Sequence, residues 1–327
     1  MKEKCKKWIL PGLFLLLLTS LTGCGTEKET KEMHIGYFNN ITHPQALLMK
    51  AEGSLQKHIG DSITLKWTAF NAGPAEVEAL FSGDIDIGYM GPVPAVSANV
   101  KSQGDVVILS GATKGGAILV TKKDSDIQSI KELSNKTVAI PQLGNTQHLC
   151  LLSLLEENGL RPVSSGGNVT VSAVANADVS NMMERGDIDA AFVPEPWGAT
   201  LLEQGAKLLL DYDKIYMEGT YDVALAVVRK EFMEANPDLV DKFLEAHKAA
   251  TKKITEEHEN SLKTINAELK DATGKSLNDT IITEAFKRIQ VSTELNRESI
   301  LGLADISQRE SFIKEIPKAE KLFYSGS

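Results

Sequence analysis

Residues 141–147 read Pro-Gln-Leu-Gly-Asn-Thr-Gln, a compact set of neutral hydrogen-bond donors. Gln142, Asn145, Thr146 and Gln147 carry amides and a hydroxyl, and Gly144 lets a ligand approach the backbone closely. An apolar helical run, His148-Leu149-Cys150-Leu151-Leu152, follows at once. A loop that opens a helix adds free N–H groups and the positive end of the helix dipole, which suits a small anion. N-capping by Asn145 or Thr146 is the plainer role, and a cap residue can also touch a ligand.

Six further loops supply candidates. Asn40, Thr42 and His43 lie in NNITHP, with His43 either a ligand contact or a cap. Asn71 lies in FNAGPAE and Asn176 in ANAD, where both asparagines also suit left-handed turns. Gly91 opens GPVP, and Thr113 sits in the glycine-rich GATKGGA. VPEPW supplies Glu195 and Trp197. Trp197 is either an apolar wall for a ligand tail or a core residue. Glu195 is awkward beside an anion: it suits a ligand amine, a structural partner or a docking surface.

Catalysis has no comparable support. The six histidines are scattered, with no pair at metal-ligand spacing, and no G-x-S-x-G elbow occurs. Thr-Gly-Lys-Ser at 273–276 lacks the glycine a phosphate loop needs, since Leu269 stands there. No cofactor or metal is expected. The net charge of −9 argues against nucleic acid as a partner, and the lysines of the first segment leave the remainder more acidic still.

The positioning elements follow from a repeated phrase. Gly-Asp-Ile-Asp occurs at 83–86 and again at 186–189. Each copy is preceded by a strand pattern, an Asn-Ala turn and a helix, with apolar Val77, Leu80 and Phe81 in the first and Val179, Met182 and Met183 in the second. Each is followed by a short apolar strand and a proline-rich turn. Gly83 and Gly186 stand where those helices end, so Asp84/Asp86 and Asp187/Asp189 are read as turn residues before carboxylate pairs. An earlier strand–loop–helix unit precedes each copy, at 33–38 and at 136–140. The pattern predicts two α/β lobes, each a mostly parallel sheet flanked by helices, with the donor loops at the strands' carboxyl ends facing a cleft. Roughly 300 residues suit two cores.

The N-terminus reads as a leader. Lys2, Lys4, Lys6 and Lys7 precede an apolar run of signal-peptide length ending in Leu-Thr-Gly-Cys24. Cys24 is expected to be the lipidated N-terminus after cleavage, tethering the protein to the outer face of a membrane. Cys5 lies in the leader, so Cys150 has no disulfide partner and is a small core hydrophobe. The expected organisation is a signal peptide over 1–23 and a tether over 24–32. Lobe 1 begins at 33–119, lobe 2 is 120–222, and 223–327 returns to lobe 1 with C-terminal helices packed on it.

Taken together, the lipobox, both Gly-Asp-Ile-Asp phrases, PQLGNTQ and VPEPW resemble the substrate-binding lipoproteins of ABC importers for aliphatic sulfonates, taurine and nitrate. The resemblance implies a two-lobed, type II periplasmic-binding-protein fold with a two-stranded hinge, and a monomer that captures a small organic anion without catalysis. The partners implied are permease subunits with a cytoplasmic ATPase. Gln142–Gln147 match the family's ligand-facing loop, while His148 stands where relatives often have an acid. The cysteine-rich motif of the related pyrimidine-precursor binders is absent. A sulfonate or taurine is the first choice. Nitrate or bicarbonate, a heterocyclic vitamin precursor, and a sensor role without transport are the alternatives.

Overall fold

The structure, a computed structural model, describes residues 31–274 and 276–326. The expected signal peptide, Cys24 and most of the tether lie outside the described residues. Two sheets organise the rest. Lobe 1 contains β1 (Lys31–Phe38), β2 (Ile63–Phe70), β3 (Ile87–Met90) and β4 (Val106–Gly115). The chain then crosses to lobe 2 for β5 (Ala117–Thr121), β6 (Thr137–Ile140), β7 (Thr170–Ala173), β8 (Ala190–Pro194) and β9 (Lys207–Leu210). It returns for β10 (Asp222–Arg229) and a short edge strand, β11 (Ile289–Val291).

The sheet orders are β2-β1-β3-β10-β4-β11 and β7-β6-β8-β5-β9. The first three strands of each are parallel, and the fourth runs antiparallel. That fourth strand, β10 or β5, is the one that arrives by crossing from the other lobe. The two lobes therefore repeat one topology, as the sequence repeat predicts.

The Gly-Asp-Ile-Asp phrase explains why the repeat persists. Asp86 Oδ2 accepts from His34 N at 2.9 Å and Asp189 Oδ2 from Thr137 N at 3.0 Å. The other carboxylate oxygens take Arg229 at 2.6 Å and Lys122 at 2.9 Å. Backbone bonds match as well: Asp86 N to His34 O and Asp189 N to Thr137 O, both 2.9 Å, then Arg229 N to Asp86 O and Lys122 N to Asp189 O. In each lobe the second aspartate thus ties the start of the first strand to the far end of the crossing strand. Gly83 and Gly186, both at φ 80°, cap the preceding helices.

Three local expectations need correction. The first strand begins at Lys31, not residue 33, because Lys31 and Glu32 pair with Ile63 and Thr64. The first crossing falls at Gly115–Gly116, before the expected 119/120 boundary; φ values of 68° and 74° let the chain leave one sheet for the other. The C-terminal helices do not all pack on lobe 1. Helix Arg297–Arg309 places Ile300 and Ala304 in a lobe 1 core and Leu303 and Ile306 in the lobe 2 core. Its apolar stripe fits the seam between helices Pro92–Lys101 and Thr146–Glu157. Of the predicted helix faces, Val77, Leu80, Val179 and Met183 are buried and Met182 half-buried, but Phe81 is 43% exposed at the edge of its stripe.

Burial alone would raise the Asp189 carboxyl, but the Thr137 N–H and Lys122 more than offset it, and its pKa lies below the ordinary value. Asp189→Ala is expected to cost about 1–3 kcal/mol in denaturant unfolding. A carboxylate with a depressed folded pKa contributes stability above its unfolded pKa and loses it as pH falls through the folded value. The wild-type advantage should be full at neutral pH and shrink below about pH 4. An advantage undiminished at lower pH would contradict the pairing.

Candidate functional site

The carboxyl ends of β1, β2, β3, β6 and β8 meet at a cavity between the lobes with about 380 Å³ of empty space, part of it open to solvent. Four residues on its wall are helix N-caps: His43, Ala72, Gly91 and Asn145. Helices Pro44–Glu52, Gly73–Ser82, Pro92–Lys101 and Thr146–Glu157 therefore start at one small volume, although Pro44, Pro74, Pro92 and Pro94 carry no N–H. Each helix end carries a partial positive charge. The side chains add neutral polar groups from Asn40, Thr42, Asn71, Thr146, Gln147 and Asn176. Phe38, Pro94, Pro141, Pro194 and Val223 form the apolar part of the wall. No Lys, Arg, Asp or Glu is among the lining residues.

His43 belongs to this neutral set. Phe38 N donates to its Nδ1 at 3.1 Å, so Nε2 carries the proton. The ring stacks on Phe38 at 4.3 Å. Complete burial lowers its pKa to about 3, so the imidazole stays uncharged at neutral pH. Asn145 Oδ1 accepts from His148 N at 2.8 Å, which makes Asn145 the cap of its helix. Its Nδ2 donates to Gln147 Oε1 at 2.9 Å, fixing both side chains. Two buried oxygens on the wall, Thr146 Oγ1 and Asn176 Oδ1, have no hydrogen-bond partner. The Thr146 hydroxyl can donate a hydrogen bond into the cavity, whereas Asn176 Oδ1 can only accept one.

Nine of the sequence candidates line the cavity: Asn40, Thr42, His43, Asn71, Gly91, Asn145, Thr146, Gln147 and Asn176. Neither asparagine of the Asn-Ala turns has a positive φ, against expectation; Asn176 instead starts a 3-10 turn. Five candidates lie elsewhere. Thr113 is buried behind the first loop, where its Oγ1 donates to Thr42 O at 2.7 Å. Gln142 and Gly144 stand on the outer side of their loop, and Gly144 N donates to His148 Nδ1 at 3.0 Å. His148 meets Phe312 edge-on and acts as a brace.

Glu195 turns away from the cavity. Its carboxylate accepts from Ala199 N at 2.8 Å and Arg288 Nη1 at 3.2 Å. Burial pushes its pKa up to about 7 against the opposing pull of these partners. Trp197 does not wall the cavity; its Nε1 donates to Asn40 Oδ1 at 2.8 Å. Sequence reasoning missed the apolar wall of Phe38, Pro94, Pro141, Pro194 and Val223, although proline beside each strand end was a visible signal.

The lobes are closed in this structure. A Cβ on Gly91 would lie 2.3 Å from Thr146 Oγ1 and 3.3 Å from its Cβ, so glycine permits the contact across the cleft.

Two sheets of one topology, joined by two crossings and closed on a cavity of neutral donors, define the periplasmic-binding-protein fold. The chain belongs to the NMT1-like family, which matches residues 26–267. It is 32% identical over 225 residues to the taurine-binding periplasmic protein of Escherichia coli (strain K12), covering 68% of this chain and 67% of that protein. The alkanesulfonate-binding protein SsuA from Xanthomonas axonopodis pv. citri, bound to MOPS, superposes with a TM-score of 0.74 at 21% identity over 89% of this chain and 98% of that one. The aliphatic sulphonate binding protein SsuA from Escherichia coli gives 0.72 at 21% identity, over 91% and 93%. Those likenesses speak for the fold.

Gly91→Ala should act on closure alone. Gly91 has φ −71° and ψ 160°, which alanine adopts freely, so the open form tolerates the change. The methyl group meets Thr146 only when the lobes meet. We expect at least tenfold weaker ligand binding with an unchanged melting temperature without ligand. Equal affinity would show that the lobes never approach this closely around a ligand.

Proposed function

We propose that this chain is the extracytoplasmic solute-binding component of an ABC importer. Its solute is a small organic anion, an aliphatic sulfonate or taurine, delivered to membrane permease subunits driven by an ATPase. The observation that carries the reading is the cavity wall: convergent helix N-termini and neutral donors, with no charged side chain. A sulfonate is a fully ionised monoanion whose oxygens accept several hydrogen bonds, and such donors satisfy it without a counter-cation. The apolar patch from Phe38 to Val223 suits a short carbon tail. The 32% identity to a taurine-binding protein supports the same class.

The chain works by capture, not catalysis, as a monomer. Lipid attached at Cys24 holds it to the outer face of the cell membrane; the Leu-Thr-Gly-Cys sequence supports this part of the proposal.

Thermal shift with taurine, ethanesulfonate, butanesulfonate, nitrate and methylphosphonate tests the substrate class. A true ligand at about 100 times its Kd adds about 2.7 kcal/mol, a shift of a few degrees. Sulfonates or taurine should shift the transition and nitrate should not. A shift with nitrate or phosphonate alone would refute the sulfonate assignment. Thr146→Ala should weaken binding about three- to tenfold at unchanged stability, because its Oγ1 has no partner within the protein. Asn145→Ala should weaken binding and also cost about 1 kcal/mol of stability, as a lost N-cap.

A further inference from the structure

The indole of Trp197 is half-buried, and its N–H donates across the cleft. Asn40 follows β1 in lobe 1, and Trp197 follows β8 in lobe 2. An indole nitrogen can only donate. Asn40 Oδ1 must therefore face Trp197, and the two Nδ2 hydrogens turn elsewhere. Asn40 is 5% exposed and lines the cavity. Its bond to Trp197 thus decides which end of the amide is committed and which remains for a ligand.

We propose that Trp197 is a closure latch and a positioning residue for the solute. On closure it engages the Asn40 carbonyl, leaving the amide to offer donors to the bound anion. The proposal rests on the reading of the cavity as an anion site. In an open form the bond is broken, and Asn40 can turn either end inward. Donor character is gained as the lobes meet, so closing and anion binding favour each other.

The latch is itself held in place. Glu195 Oε2 accepts from Ala199 N in the first turn of helix Trp197–Glu203. Arg288 holds Glu195 and also donates to Asp211 at 2.9 Å. Arg288 directly precedes β11 at the edge of the lobe 1 sheet, so this chain of bonds also spans the lobes. Trp197 is therefore presented to Asn40 from a braced turn.

Trp197→Phe keeps an aromatic ring and removes the N–H. For butanesulfonate the Kd should rise about three- to tenfold, through faster dissociation, with the ligand-free melting temperature unchanged. In an Asn40→Ala background the same substitution should have no further effect, because the acceptor is already gone. Equal dissociation rates for wild type and Trp197→Phe would overturn the latch, as would an equal loss in both backgrounds. If the wild type binds no sulfonate or taurine, the anion reading fails separately. The latch is then tested by small-angle X-ray scattering without ligand: Trp197→Phe should have the larger radius of gyration, and identical values reject it.

Discussion

A buried anion needs either a counter-charge or enough preorganised neutral donors, and this cavity has only the second. That constraint accounts for much of the surrounding architecture. Donors must come from many directions at once, so helix N-termini of both lobes are aimed at one volume. They must also be shielded from water, since a neutral donor competes well with solvent only in a closed site. Negative charge nearby would undo the effect. Glu76, in the helix behind Ala72, is not on the cavity wall, and burial pushes its pKa well above the ordinary carboxyl range. Glu195 is turned away and paired with Arg288.

The far ends of the sheets answer a different need. Each lobe receives a strand from the other, and that strand has to be held in its new sheet. The Asp86–Arg229 and Asp189–Lys122 pairs pin each crossing strand into the sheet that receives it, at the end opposite the cleft. The two crossings run through Gly115–Gly116 and the segment before β10. Helix Arg297–Arg309 lies across both lobes; its small residues Gly302 and Ala304 face close neighbours, with the Tyr216 hydroxyl against Gly302.

Much of this was legible in the chain because it is local. Strand–loop–helix units show in the hydrophobic periodicity, and the repeated phrase marks the same slot in both lobes. The loops at the strand ends are recognisable by composition, so most cavity residues were within reach. Side-chain direction was not. Thr113 and Glu195 have suitable chemistry, but strand register and the Arg288 partner, 93 residues away in sequence, point them elsewhere. Trp197 was read for its ring, whereas its N–H is what contacts the opposite lobe. The place of helix Arg297–Arg309 was equally hidden, because an apolar stripe does not say which groove it will fill.

Neutral donors alone make a distinctive demand on pH. Burial depresses the His43 pKa to about 3, so the imidazole is an uncharged donor throughout the physiological range. Calorimetric titration of butanesulfonate between pH 5 and pH 8 tests this most directly, because a sulfonate stays singly charged across that interval. The account predicts measurable binding with no gain in affinity as pH falls. An affinity that climbed about tenfold per pH unit on acidification would show that a group protonating in this range, an imidazolium or Glu195 with its pKa of about 7, controls binding, and that the charge-free cavity is not the basis of recognition.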